Sequence, residues 1–295
     1  MIFRLHIPPQ LTACVHSAMA TEFIFHLGGH EPAYLQQAAA EAFALIDQLE
    51  ARLSFYRESS DVTRLNRAPA GAEVAVSPDT IACLELAAEA AQLTVGAFNA
   101  FTGRAAVDAK RQEVPTYLVG SPEPGENDVP GPVISLHPAA GIVTKLRAGP
   151  WVDLGALGKG YALDQAASLF VEWGITEGCL IAGGSSLRGL GGGRWPLEIG
   201  RTKTVVSLRS EFCLGASGFQ FQPGHVIDSR PVPEKSSTVR SLVLAPSAAL
   251  ADALSTGAML LSDRQLVQLV HDQPGIATLV IDVAGNTHRH GAPFA

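Results

Sequence analysis

The chain has 295 residues, 47% of them apolar and 17% charged, with a formal net charge of −7. This is a globular composition that excludes extended disorder, and no stripe of Lys and Arg marks a nucleic-acid footprint. No run of about 18 apolar residues offers a membrane span, and a net-acidic protein that handles phosphate must gather positive charge locally or recruit a metal.

Leu11-Thr12-Ala13-Cys14 looks like a lipoprotein cleavage box. The preceding MIFRLHIPPQ lacks the apolar run of a signal peptide, so the expected location is cytoplasmic and the box a coincidence. Residues 1–18 are expected to form an N-terminal extension before a single domain over 19–295. MATEFIFHLG (19–28) alternates as a strand does. Leu35, Ala39, Ala42, Ile46, Leu49 and Leu53 then line one face of a helix that starts after Pro32. YRESSDVTRLNRAPAG (56–71) reads as a polar loop with two turn or cap serines, and 78–93 as a helix capped by Ser77.

Residues 104–135 are rich in Pro, Gly and charge, and read as a surface excursion. Two short strands, VISLHP and GIVTKL, flank the turn PAAG. A helix is predicted over 159–173, and the strand GCLIAGG leads into a glycine-rich turn. Further strands are expected at 196–200, 204–208, 211–215 and 239–245, with helices over 247–261 and from Ser262, where Ser262 and Gln265 fit a capping box. ATLVIDVAG is expected to close the fold. Without regular βαβ alternation the class is α+β. The four cysteines, Cys14, Cys83, Cys179 and Cys213, have neither zinc-ligand nor disulfide-framework spacing.

Three segments carry chemistry. DLGALGKG (153–160) fails the P-loop pattern, because only Ala156 and Leu157 separate Gly155 from Gly158 and no hydroxyl follows Lys159. It still puts bare backbone and Lys159 at a helix start, where anions are attracted; a plain strand-to-helix turn is the equal alternative. In ADALSTGA (251–258), Asp252 and Thr256 share a helix face. With backbone carbonyls and phosphate oxygens they suit Mg²⁺, while a buried pair serving the helix backbone is the commoner arrangement. HVID (225–228) offers His225 and Asp228 as a general base and its partner, or simply an edge-strand histidine and a turn aspartate.

In this order, and joined by MATEF, LSFYRESSDVTRLNR, VGAFNAFTG, IAGGSS and GASG, these segments resemble the ApbE family of FAD:protein FMN transferases over about residues 19–283. The resemblance implies a layered α+β fold of mixed sheets packed with helices in two intertwined halves. It implies cleavage of FAD with Mg²⁺, passage of FMN to a threonine hydroxyl of an acceptor protein, and release of AMP. Asp252 and Thr256 would hold the metal by side chain and Gly158 by its carbonyl. Lys159 would lie near the phosphates, and His225 would take the acceptor proton. Met19, Thr21, Tyr56, Asn66, Asn99, Asp153, Lys159, Ser217 and His225 make up the implied cofactor-binding set.

The chain departs from the family pattern at several places. Ser229-Arg230-Pro231-Val232 stands for P-R-T-G, Ser185 for the acid or amide after the GG turn, Phe98-Asn99-Ala100 for F-D-P, and Ala216-Ser217-Gly218 for T-S-G. Two rival readings stand beside this one: an FAD pyrophosphatase that releases FMN and AMP, and a non-catalytic flavin-binding relative whose nucleotide pocket has drifted.

Overall fold

The computed structural model describes residues 3–109, 113–121, 131–191, 194–199, 204–209, 213–219, 226–231 and 236–292. In chain order the first elements are β1 (Phe3–Leu5), β2 (Thr12–Ala18), β3 (Thr21–Gly28), α1 (Pro32–Leu53), α2 (Asp61–Arg67), β4 (Glu73–Ala75), α3 (Pro78–Leu93) and α4 (Gly103–Ala109). There follow β5 (Ile134–His137), β6 (Ile142–Lys145), α5 (Gly158–Glu172), β7 (Glu177–Ala182), β8 (Ser186–Leu190), β9 (Arg194–Ile199) and β10 (Thr204–Arg209). The chain continues with β11 (Cys213–Gly218), β12 (Thr238–Ala245), α6 (Ala248–Ala258), α7 (Asp263–Asp272), β13 (Ala277–Asp282) and β14 (Thr287–His290).

An eight-stranded sheet in the order β14-β13-β12-β11-β8-β7-β3-β2 carries the fold. Strands from both ends of the chain share it, which is how the two halves intertwine. Every pairing among the described residues is antiparallel, which sharpens the expectation of mixed sheets. Side chains alternate across a strand, and β12 shows the result. Val243 and Ala245 join the core beneath the helices, where Phe23, Phe25, Leu49, Phe170 and Leu254 pack. Leu242 and Leu244 point the other way, into a core shared with Trp195, Leu197 and Ile199 of the small sheet β1-β9-β10. The layers are therefore helices, large sheet and small sheet.

Helix α6 is apolar on nearly every side and is buried as such a helix must be. It is seated by two glycines. A methyl group on Gly215 of β11 would lie 2.2 Å from the Ala251 carbonyl oxygen, and one on Gly160 of α5 would lie 2.1 Å from that of Ala248. Asp164 of α5 reaches across to cap α6, accepting from Ala248 N at 3.0 Å and Ala249 N at 2.9 Å, and pairs with Arg188 of β8.

The structure corrects several expectations. Part of the supposed extension, Thr12–Ala18, pairs along its length with β3 and forms the sheet edge. The strand expected at Met19 begins at Thr21, because Met19 and Ala20 make the hairpin turn with left-handed φ of 50° and 58°. The polar loop contains α2, capped by Ser60 accepting from Thr63 N at 3.0 Å. The surface excursion holds α4, and ATLVIDVAG does not close the fold, since β14 returns beside β13. The Ser77 cap and the Ser262–Gln265 capping box form as expected. All four cysteines are free thiols, and no described helix is long and apolar enough to cross a membrane.

Lys145 of β6 is 1% exposed, and its Nζ donates to the Pro150 carbonyl at 2.8 Å, tying down the segment that enters DLGALGKG. Burial lowers its pKa from 10.5 to about 8. Between these values the unfolded chain holds more protons than the native one, so stability rises with pH across that window. Urea denaturation should show wild type gaining about 2 kcal/mol on Lys145→Met between about pH 8 and about pH 10. A constant difference between the two proteins would mean that Lys145 is not charged and desolvated.

Candidate functional site

A cavity of about 1170 Å³ opens beside the C-terminal half of α6. Met19, Thr21, Tyr56, Asn99, Asp153, Gly158, Lys159, Ser217, Asp252 and Thr256 all line it, so distant segments of the sequence meet there. Asn66 does not. It is buried, with Nδ2 donating to the Val152 carbonyl at 2.9 Å and Oδ1 accepting from Val152 N at 2.7 Å. Both ends of its amide engage the backbone that precedes DLGALGKG, so it clamps that segment. His225 lies outside the described residues; Ile227, two positions on, lines the cavity.

Asp252 is the chemical centre of the cavity floor. Its Oδ1 accepts from Ser186 Oγ at 2.7 Å, and its Oδ2 accepts from the same hydroxyl at 2.8 Å and from Gly160 N at 2.9 Å. Burial pushes its pKa up to about 6, while the charge of Lys159 and the Ser186 and Gly160 hydrogen bonds pull the other way. One turn on, Thr256 Oγ1 lies 3.5 Å from the Asp252 carbonyl and 3.3 Å from Ser217 Oγ, which also meets Ser255 Oγ at 2.9 Å. Among the described residues no three His, Cys, Asp or Glu side chains gather in a metal-binding group. The donors on this floor are one carboxylate, hydroxyls and backbone. That all-oxygen set fits a hard divalent cation that takes its other ligands from water or phosphate. It does not fit zinc or copper.

DLGALGKG is a turn and a helix start at once. Asp153 Oδ1 accepts from Gly155 N at 2.8 Å, and Leu154 O accepts from Gly158 N at 2.8 Å as α5 begins. The positive end of the α5 dipole and the Lys159 ammonium therefore face the same space. Tyr56 is 56% exposed on the cavity wall, and its phenol pKa is raised by burial and then by Asp153 and Tyr117. Two departures from the family pattern meet here, since Asn99 Nδ2 donates to Ser229 Oγ at 2.7 Å.

Asp228, the expected partner of His225, is paired with Arg230. Arg230 engages both of its oxygens, at 2.9 Å through Nε and 2.6 Å through Nη2, and Nη2 also donates to the Leu260 carbonyl at 2.8 Å. That ion pair holds the Asp228 carboxyl below its ordinary value. Sequence reasoning assigned no role to Ser186, Gly160 or Asp164, because those roles depend on which segments meet in space. Only the serines after the GG turn gave any hint of the first.

An α+β protein with a large cavity, floored by a buried carboxylate over a lysine-bearing helix start, is built to receive a polar, anionic ligand. The model of the ApbE family matches residues 18–280, and the chain belongs to that family. A FAD:protein FMN transferase of Treponema pallidum (strain Nichols) is 25% identical over 287 residues, covering 84% of this chain and 78% of the relative. One of Vibrio cholerae is 25% identical over 247 residues, covering 75% and 72%. Among solved structures, flavin transferase ApbE from Vibrio cholerae superposes with a TM-score of 0.74 at 20% identity, over 97% of this chain and 99% of that one. The apo form of Pseudomonas stutzeri flavinyl transferase ApbE gives a TM-score of 0.76 at 21% identity, over 95% of each. At these identities the structures support the fold.

The two glycines of the helix start should respond in opposite ways. A methyl group on Gly158 meets no atom within 4 Å, whereas on Gly160 it strikes the Ala248 carbonyl. Gly160→Ala should therefore cost about 3 kcal/mol or more. Gly158→Ala should be neutral or stabilising by up to about 1 kcal/mol, both measured by urea denaturation. Equal effects would refute the close α5–α6 approach.

Proposed function

We propose that this chain is a Mg²⁺-dependent FAD:protein FMN transferase that cleaves FAD, passes FMN to a threonine hydroxyl of an acceptor protein and releases AMP. The observation that carries the reading is the floor of the cavity, where Asp252 and Thr256 face the same space as Lys159 and the start of α5. Family membership and the names of the relatives support the transfer of FMN from FAD to a protein.

On this reading Asp252 and Thr256, with the Gly158 carbonyl, would hold Mg²⁺, and the cation would supply charge neutralisation at the pyrophosphate. Lys159 and the α5 dipole add positive charge at the same end of the cavity. Tyr56, Asn99, Met19 and Thr21 shape the walls against the nucleotide. His225 takes the proton of the threonine hydroxyl as its oxygen bonds to the FMN phosphorus and the bond to the AMP phosphate breaks. Phosphoryl transfer depends chiefly on alignment and charge neutralisation. The carboxylate fixed between Ser186 and Gly160 supplies an aligned anchor for both.

The test is to incubate the protein with FAD, Mg²⁺ and a threonine-bearing acceptor domain, following covalent flavin on the acceptor and AMP in solution. Both should form, and Asp252→Asn should slow them by roughly 100-fold or more, the scale seen when charge stabilisation in such a transfer is lost. Absence of both products overturns the proposal. AMP and free FMN without labelled acceptor would make water the acceptor and the protein a pyrophosphatase.

A further inference from the structure

Ser186 Oγ lies 2.7 Å from one oxygen of Asp252 and 2.8 Å from the other. A donor almost equidistant from both oxygens sits in the fork of the carboxylate. That fork is also where a cation must sit to be held by both oxygens at once. Oδ2 is further occupied by Gly160 N at 2.9 Å, whereas Ser186 is the only hydrogen-bond donor found for Oδ1 among the described residues. Ser186 is fully buried at the start of β8, directly after the turn that lines the cavity, and Ser185 Oγ in that turn is 3.3 Å from it. The hydroxyl is thus fixed by the sheet, and the carboxylate is fixed by the hydroxyl.

From this geometry we infer that Ser186 is the positioning residue that sets the cation selectivity of the site. By filling the fork it leaves only the outer lone pair of Oδ1 for a cation, so Asp252 coordinates through one oxygen. Mg²⁺ demands near-ideal octahedral geometry with single-oxygen ligands, whereas Ca²⁺ is larger and readily takes a carboxylate through both oxygens. A plugged fork therefore favours Mg²⁺, and an open one admits Ca²⁺. The inference rests on the cation site proposed above, and it adds the residue that determines which cation enters.

The experiment measures displacement of Mn²⁺ by Mg²⁺ and by Ca²⁺, followed by the electron paramagnetic resonance of free Mn²⁺. It uses the full chain with FAD present and no acceptor. Ser186→Ala should lower the ratio of Mg²⁺ to Ca²⁺ affinity by about tenfold or more, within the range expected for loss of a residue that orients a ligand. Ser186→Thr, which keeps the hydroxyl, should restore the ratio. A ratio unchanged within twofold in a folded Ser186→Ala protein overturns the inference. Infrared difference spectra of wild type with each cation give an independent check should Ser186→Ala not fold. The Asp252 carboxylate, assigned by its loss in Asp252→Asn, should show the wide band splitting of one-oxygen coordination, and a narrow splitting overturns the inference. If wild type binds neither Mn²⁺ nor Mg²⁺, the cation site itself fails and the selectivity role falls with it, an outcome distinct from an unchanged ratio.

Discussion

The site depends on one backbone contact. Helices α5 and α6 meet where Gly160 faces the Ala248 carbonyl, closer than any side chain would permit. That approach brings Gly160 N within hydrogen-bonding distance of Asp252 and lets Asp164 cap the start of α6. With Gly215 allowing the sheet to press on α6 from another side, the helix can neither slide nor rotate without a backbone clash. A carboxylate on such a helix is fixed without any long, flexible side chain having to be ordered to hold it.

Burying that carboxylate is costly, and the structure shows how the cost is met in part. A buried ionised group needs hydrogen bonds and opposite charge; Ser186, Gly160 and Lys159 supply them, yet the Asp252 pKa still stands at about 6. On the function proposed above, a bound cation would offset the remaining imbalance. Asp228 shows the opposite solution. Its charge is fully matched by Arg230, and it serves to pin a loop to the cavity rim.

What could be read from the sequence was what local spacing encodes. Asp252 and Thr256 one turn apart, and DLGALGKG at a helix start, are short-range patterns, and both reach the cavity. The helices capped by Ser77 and Ser262 were legible for the same reason. The polar loop around Asn66 was not legible as α2 because a short polar helix and a polar loop look alike in composition, and the bond of its amide to Val152 joins segments 86 residues apart. The roles of Ser186 and Asp164 were not legible because their partners lie in other elements, and no periodicity announces which strand passes beneath which helix. The turn at Met19 and Ala20 defied expectation differently, since both adopt a left-handed conformation that usually calls for glycine.

The sequence distances spanned by the site have a temporal consequence. The hydrogen bonds that build it join residues 92 positions apart at Gly160 and Asp252, 66 at Ser186 and Asp252, and 86 at Asn66 and Val152. Contacts of such separation form only after long loops have closed. On the ribosome, where the chain emerges from its N-terminus, a nascent protein that has reached the end of β12 still lacks the α6 residues of the cavity floor. On the function proposed above, the site would assemble only once the segment ending at Thr256 has been made and folded onto α5, and an unfinished chain would stay inactive.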